Sequence, residues 1–584
     1  MTGIQHAHSR PVQFLLRYKA WLYLLPALTV ITVFQIYPIC KSFLMGFYTD
    51  FDYLKDEVYA WGFDNFRNLM NDSDFALAIR NTVRLTLVAA PLSILTSLLF
   101  AVLLNSDIRC RKVFQSIYFL PFVTSMVAVS IVWAWMLNKD YGLVNAILKI
   151  FGVKKIAWLT DPKMTLPILV VLCVWKGLGY RVIIFLAGLQ GIDQRYYQAA
   201  RLDGARAFNR FWHITIPQLR PTIFFLSVTT VIDVFKTFDE VYVMYAREPG
   251  PLRSGLTIVY YIFNKFYHNW AFASAAAASF VLFAMVLAVT LLQFGVVRLA
   301  AILEERPMKP TFGQKLAKVL TYLILILGAA FILLPFVWMI LTSVKPSNEV
   351  LKMPPQWIPS TIQWQNYAKA FKAVPFFTYL KNSILVTVMI TSCELVTVTL
   401  AAYAFAQLEF KGKNLLFLML VATMMVPGEI LTIPNFVTLA HLGWINTYKA
   451  MVAPWATSVF SIFLLRQQFA SIPQSYYKAA RMDGCSDLRY LFTVMVPMSR
   501  PTMVSIALLK IINSWNSYMW PLISTNSREM RTLPVGLAYF STESGTDYNT
   551  LMAFSLMIIA PTVIVYLLTQ KYIIQGVSKT GLKG

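Results

Sequence analysis

Charge is scarce in this chain. Only 13% of its 584 residues are Asp, Glu, Lys or Arg, against 58% hydrophobic. A soluble domain carries about 25% charged residues to cover its surface, so a water-soluble fold is excluded and an all-α polytopic membrane protein is expected. Cysteine is scarce as well, with five residues. Cys40, Cys173 and Cys393 fall in apolar runs, where they act as small hydrophobes. Cys110 and Cys485 fall in short polar loops. The spacing offers neither a disulfide framework nor a metal site. A phosphate-binding loop is missing too: Gly412-Lys413 is followed by Asn414 and has Gln407 where the motif needs its first glycine. No nucleophile–base pair stands out, so an enzyme is not expected. Arg10, Arg17 and Lys19 precede a long apolar span with no small-residue cleavage site, and that span reads as retained.

What the chain does have is apolar length. A bilayer-crossing helix needs roughly 20 mostly apolar residues. Six such spans are expected at 20–46, 82–105, 114–137, 165–190, 222–246 and 272–297. Six more are expected at 317–344, 383–406, 414–439, 450–470, 502–525 and 551–574. Between the sets lies Glu304-Glu305-Arg306-Pro307, charged and proline-bearing. Residues 304–313 read as a linker between halves 1–303 and 314–584, and Met308 sits where a separate second protein could start. The chain therefore reads as two subunits joined end to end. The excess of 51 basic over 27 acidic residues could suggest nucleic acid, but lysine and arginine in cytoplasmic loops explain it without such a partner. Loop 47–80 is acidic and reads as external. The segment 193–220 is basic and reads as cytoplasmic, which puts both termini inside. Loop 345–381, with Lys345, Lys352, Lys369, Lys372 and Lys381 against Glu349, is basic yet falls on the external side.

One polar block occurs twice. Tyr196-Tyr-Gln-Ala-Ala-Arg-Leu-Asp-Gly-Ala205 returns as Tyr476-Tyr-Lys-Ala-Ala-Arg-Met-Asp-Gly-Cys485, and Pro217, Arg220, Pro221 and Thr222 return as Pro497, Arg500, Pro501 and Thr502. Subtracting 280 from the second copy gives the first without a gap. A repeated polar block inside an apolar chain marks two equivalent halves. Asp193 is placed to cap a short helix, and Pro473 suits a first-turn position in the second copy. Ala199, Ala200, Ala479 and Ala480 favour helix and leave room for another surface to approach. Asp203-Gly204 and Asp483-Gly484 are turn signals. Ala205–Ile214 then reads as a second short helix, ended by Pro217 and Pro221. The result is a helix-turn-helix projecting from the membrane. The bland alternative is an amphipathic helix resting on lipid headgroups; two gapless copies favour a docking knob.

Polar residues inside spans are pathway candidates, because an uncompensated charge at mid-membrane is costly. Asp233 lies about 16 Å along its span at ~1.5 Å per residue, near the middle of a ~30 Å core. Lys236 and Asp239 follow, with Asp233 and Lys236 three apart on one helix face. The repeat sets Asn513 opposite Asp233 and Asn516 opposite Lys236. Mutual neutralisation of Asp233 and Lys236 within the bundle is the bland reading. Glu394 reads as buried in the bundle, Lys510 is unassigned, and His268 and Trp270 read as interfacial anchors.

The repeated block resembles the EAA loop of binding-protein-dependent ABC importers. The first half is similar to a carbohydrate permease of the MalF/UgpA type, through Tyr118-Phe-Leu-Pro121, Tyr141-Gly-Leu-Val-Asn145, Trp158-Leu159 and Trp175-Lys-Gly177. The second is similar to the MalG/UgpE type, through Leu400-Ala-Ala-Tyr-Ala-Phe-Ala406, Asn446-Thr-Tyr448, Trp515-Asn516 and Leu533-Pro-Val-Gly-Leu537. The resemblance implies the type I importer transmembrane fold (MetI-like), a bacterial plasma membrane location and a transport function. It implies docking of two copies of an ABC ATPase subunit through Gln198, Ala199, Ala200, Asp203, Gly204, Lys478, Ala479, Ala480, Asp483 and Gly484. It also implies an extracytoplasmic solute-binding protein, with ATP and Mg used by the partners and no cofactor on this chain. The glutamate that names the loop is replaced by Gln198 and Lys478, so the two docking sites are expected to differ in strength. Family members that bind sugar in the membrane do so at positions matching Gly177, Tyr180, Phe235, Lys236 and Asp239. With Lys176 and Arg181, Lys236 makes an anionic sugar or sugar phosphate an expectation beside a neutral one. The rivals are an ion-coupled transporter using Asp233, Asp239 or Glu394, and a non-transporting scaffold.

Overall fold

The computed structural model describes residues 10–302 and 314–580, apart from 53, 54, 56, 107, 353, 425, 427, 538, 539, 543 and 544. The linker 304–313, Met308 included, lies outside the described residues. Among them, eight helices are long and apolar enough to cross a membrane: Tyr18–Met45, Ser73–Asn105, Pro162–Gly191, Ala207–Phe235, Phe272–Gln293, Val319–Ser343, Phe376–Gln407 and Tyr548–Gln570. Three bent pairs pass the same test together: Arg111–Val123 with Met126–Met136, Tyr448–Trp455 with Val459–Ala470, and Asp487–Met498 with Arg500–Trp515. At the expected ninth span the apolar helix is Lys413–Thr423, about 16 Å long at ~1.5 Å per residue and too short to span alone. The chain continues there through the 3-10 turn Gly428–Leu431 into helix Thr432–His441.

Two expected spans stop early. The span placed at 222–246 is helical only to Phe235, and a short helix Asp239–Met244 follows. The one at 502–525 stops at Trp515, before Met519–Ser524. Both breaks fall at matching positions of the repeat. Phe238 and Tyr518 stand at the matching N-caps of the short helices that follow, with φ −144°, ψ −59° and φ −117°, ψ −59°. The third span is bent by 98° between Val123 and Met126. Lys176 donates to the carbonyls of Pro121 (2.8 Å) and Thr124 at that bend, placing a cation at the carbonyl end of the first segment.

Each half lends its first helix to the other. On the leading helix Tyr18–Met45, Trp21 meets Phe410 at 5.7 Å and Tyr23 meets Tyr403 at 5.2 Å. In return, on Val319–Ser343, Trp338 stacks on Trp135 at 4.8 Å and Phe336 stacks on Trp175 at 5.7 Å. Tyr118 donates its hydroxyl to the Leu325 carbonyl at 2.7 Å. Gly328 permits this approach, since a Cβ there would stand 2.6 Å from Phe100 and from the Tyr118 hydroxyl. Buried aromatic pairs add about 0.5–1.5 kcal/mol each beyond their area, so the exchange locks the halves into one body.

The end of the bundle away from the repeated blocks is capped by polar side chains. Helix Pro162–Gly191 runs for 30 residues, about 45 Å, and separates the two ends. At its start Thr165 bonds Ser254 (2.7 Å), and nearby Arg253 pairs with Asp74 at 2.5 Å. Tyr261 and Lys265 bond Asp72 at 2.7 and 3.1 Å. In the second half the puzzling basic loop 345–381 resolves in part. Lys345 is buried under Trp338, 4.0 Å from its ring centre, and its carbonyl accepts from Asn366 (2.9 Å) and Asn549 (3.1 Å). Burial pushes its ammonium down to about 8. This lysine is a packing element, not a solvent-facing topology signal.

Candidate functional site

The two repeated blocks have one backbone. Helices Gln194–Leu202 and Gln474–Met482 are each nine residues long. Each ends in a glycine with positive φ, +73° at Gly204 and +71° at Gly484, a conformation that costs glycine little and other residues more. The amides of Ala205 and Cys485 bond the Ala200 and Ala480 carbonyls at 2.8 and 2.9 Å, a Schellman closure that stops the helix. Asp193 caps the first helix, its carboxylate accepting the Arg195 amide at 2.9 Å. Pro473 stands one position earlier than expected, as the N-cap. The expected second short helix, Ala205–Ile214, is not separate. Helix Ala207–Arg210 passes through a π-turn, Phe211–Thr215, directly into the span. Pro217 therefore does not end it; proline needs no amide partner, and the wider turn before it makes room for its ring. In the second half the π-turn Leu491–Met495 recurs, but the path bends by 82° at Ser499, between Pro497 and Pro501.

Gln198, Ala199, Asp203 and Gly204 are exposed, as are Lys478, Ala479, Asp483 and Gly484; Ala200 and Ala480 are half-buried. The sequence reading missed what stands beside them. Leu202 is 90% exposed and Met482 is 88% exposed, at matching positions. Tyr196, Phe208 and Trp212 are matched by Tyr476, Leu488 and Phe492, all exposed. Apolar residues kept at the same offsets inside a polar block were the available signal. Exposed apolar groups clustered on a projecting loop mark a contact surface.

The loops differ in their fastening. Tyr197 bonds the Thr215 hydroxyl at 2.9 Å. Tyr477 instead donates to Asp487 at 3.0 Å. Asp487, buried and matched by Ala207 in the first copy, also pairs with Lys19 of the leading helix and lies 4.0 Å from Arg481.

Between the halves lies a cavity of about 630 Å³. It brings together three residues expected from sequence, Tyr180, Asp233 and Asn513. Phe122 stacks on Tyr180 at 5.1 Å and lines it too. The sequence reading left Lys510 unassigned. Here its ammonium pairs with Glu394 at 2.6 Å, while Ser461 donates to the other carboxylate oxygen at 2.6 Å, and all three line the cavity. Gly177, Phe235, Lys236, Asp239 and Asn516 are not among the lining residues. Arg181 lies across Gly177, so that a Cβ there would meet the guanidinium at 2.4 Å. Phe235 is buried in the core. Lys236 caps the helix end instead of continuing a face with Asp233. Asp239 opens the next short helix. Asn516 donates to the Val123 carbonyl at 2.8 Å, across the two halves. Lys176 and Arg181 are directed to backbone carbonyls, Arg181 to that of Cys173 at 3.1 Å. Among the described residues no cluster of three His, Cys, Asp or Glu could hold a metal.

An arabinooligosaccharide transport system permease protein, AraQ of Halalkalibacterium halodurans, is 35% identical over 278 residues, which are 46% of this chain and 99% of that protein. The lactose transport system permease protein LacF of Rhizobium radiobacter is 37% identical over 47% of this chain and 93% of its own length. A solved bacterial ABC transporter involved in import of the acidic polysaccharide alginate aligns at 26% identity, over 45% of this chain and 99% of its own, with a TM-score of 0.42. Each relative is matched almost whole yet occupies about half of this chain. The family described as binding-protein-dependent transport system inner membrane component matches twice, over residues 93–309 and 396–579. Those two segments take in more than half of the sequence, and the chain belongs to that family.

Proposed function

We propose that this chain forms the membrane-spanning permease of an ATP-driven carbohydrate importer in a bacterial plasma membrane, both permease subunits being fused in one polypeptide. Two copies of a separate ABC ATPase dock on the two loops, and an extracytoplasmic solute-binding protein delivers substrate to the opposite end. The partners use ATP and Mg; this chain supplies the pathway. The observation that carries the reading is the pairing of one cavity between the halves with two projecting loops of one backbone. Closure of the ATPase pair would draw the loops together, and the continuous path from loop into span, Ala207–Phe235 in the first half, would carry that displacement to the cavity wall.

The cavity favours a neutral sugar over a sugar phosphate. Its formally charged lining groups are Asp233, Glu394 and Lys510, without an excess of positive charge. Lys176 and Arg181, which sequence suggested for an anion, are directed to carbonyls. AraQ and LacF, named for arabinooligosaccharides and lactose, agree with a neutral oligosaccharide. Of the acidic residues that an ion-coupled transporter could use, Asp233, Asp239 and Glu394, the last is held by both Lys510 and Ser461.

The test is a gentle-detergent pull-down from native membranes, with a Gly204→Trp, Gly484→Trp variant beside the wild type. No neighbouring atom comes within 4 Å of a Cβ at either glycine, so the bulk falls on the docking face, although the positive φ adds strain. An ABC ATPase recovered with the wild type and lost with the variant is the expected result. Transport by the purified chain alone, without ATP, would overturn the proposal in favour of ion coupling.

A further inference from the structure

The polar wall of the cavity belongs mostly to the second half, and it opens onto a further chamber. A second cavity, about 160 Å³, shares Trp455, Lys510 and Asn513 with the large one. Beyond these its lining includes Ser517, Trp520 and Thr532, beside the apolar Val386, Ile390 and Met451. Trp455 is partly exposed and meets Trp520 edge-on at 6.1 Å. Asn513 is exposed and lines both cavities. The Thr532 hydroxyl is buried, lines the chamber and is unpaired. Buried hydroxyls are normally hydrogen-bonded, so this one can take a polar group of a bound molecule. An aromatic face beside convergent amide, hydroxyl and ammonium donors is the chemistry that holds a sugar ring, with its apolar face on the indole and its hydroxyls on the polar groups. Glu394 fixes Lys510, so the ammonium is pre-oriented where both cavities meet.

We propose that this chamber is a second carbohydrate subsite, belonging to the second half, and that an oligosaccharide lies across the interface with one residue against Trp455, Lys510 and Asn513 and another toward Tyr180 and Asp233. The proposal rests on the importer reading and its neutral oligosaccharide, and adds the second subsite that a sugar of two or more units would occupy. Bridging both halves would also let the substrate sense their relative motion, since the two walls move apart when access alternates.

The experiment measures binding of maltose, lactose, trehalose, arabinotriose, glucose and arabinose to the purified full chain in lipid nanodiscs by isothermal titration. Wild type is compared with Trp455→Leu, Asn513→Ala and Asp233→Asn. The expected result is binding of at least one of the longer sugars, weakened tenfold or more by Trp455→Leu, by Asn513→Ala and by Asp233→Asn, with the monosaccharides binding at least tenfold more weakly throughout. Loss in Asp233→Asn alone, with Trp455→Leu and Asn513→Ala within twofold of wild type, would overturn the second subsite and leave the importer reading standing. A wild type that binds none of the six would overturn the second subsite, while the importer reading stands or falls on the ATPase pull-down. Because Trp455→Leu could disturb packing, its melting temperature is measured beside the milder Asn513→Ala, and a loss in both with an unchanged melting temperature assigns the effect to the site.

Discussion

The two repeated loops share a backbone and differ in how they are tied down. The first rests on a neutral contact between Tyr197 and Thr215. The second rests on a buried carboxylate, Asp487, gripped by Tyr477, Lys19 and Arg481. Lys19 comes from the leading helix of the opposite half, so the second loop is fastened across the interface while the first is fastened within its own half. The same asymmetry continues inward. Lys510, in an ion pair with Glu394, has Thr230 at its matching position in the first half. The backbone of the two loops is the same, while the side chains that fasten them and the residues at matching positions further in are different.

The largest expected effect breaks the cavity pair. Glu394→Ala leaves the Lys510 ammonium, 15% exposed, without its partner, and such a loss costs about 3–5 kcal/mol in a buried pair. Denaturant unfolding in detergent should show a loss of at least ~2 kcal/mol once cavity water is allowed for. The double variant Glu394→Ala, Lys510→Met should recover most of it, because no charge is left stranded. Equal losses in the single and double variants would mean that the pair is not the source of the effect.

The next pair of variants asks whether the loops are equal as docking surfaces. Leu202→Asp and Met482→Asp place charge on the two exposed apolar tips. If each tip is an anchor in an ATPase pocket, each change costs ~2 kcal/mol or more of association, about thirtyfold in Kd, read by titrating the ATPase onto nanodiscs. Losses differing more than tenfold would show that one loop carries the docking, and the contrast between Gln198 and Lys478 would be the first place to look for the cause.

Much of this was legible in the sequence. Hydropathy places the spans because a lipid-embedded backbone must satisfy its own hydrogen bonds, and long apolar helices are one of the few ways to do so. The loops are legible because the repeat is gapless and Asp-Gly sets the same turn twice. The breaks at Lys236 and Asn516 are not, because the expected spans run through them to 246 and 525 and hydropathy does not register a change of direction. The Glu394–Lys510 pair is hidden for another reason: its members lie on different helices, and single-sequence patterns reach only neighbours within a helix or strand. The contacts of Lys176 are hidden for the same reason: the bend it meets, at Thr124, is remote in sequence.

A third variant addresses the fastening itself. Asp487→Ala removes the acceptor of Tyr477 and strands Lys19 and Arg481. Hydrogen bonds to charged groups contribute about 1.5–3 kcal/mol each, so the second loop should open more often. Limited proteolysis should cut after Arg481 several-fold faster while cleavage after Arg201 is unchanged. Acceleration at both sites would mean that the two loops are mechanically coupled through the leading helix, not independently fastened.

The smallest effect sharpens the comparison most, because the same atom is removed from both loops. Tyr197→Phe deletes a bond between two hydroxyls, and a neutral bond contributes about 0.5–1.5 kcal/mol. Tyr477→Phe deletes a bond to a buried carboxylate, in the range of about 1.5–3 kcal/mol. The rings stay, so packing is preserved; the Tyr477 ring keeps its edge contact with Tyr490 at 5.2 Å. The second substitution should therefore destabilise its loop by roughly 1 kcal/mol more than the first, measured by hydrogen exchange at the amides of residues 197–205 and 477–485. If the two changes were equal, Lys19 and Arg481 would be holding Asp487 unaided, and the tyrosine would be a bystander to a cross-half ion pair.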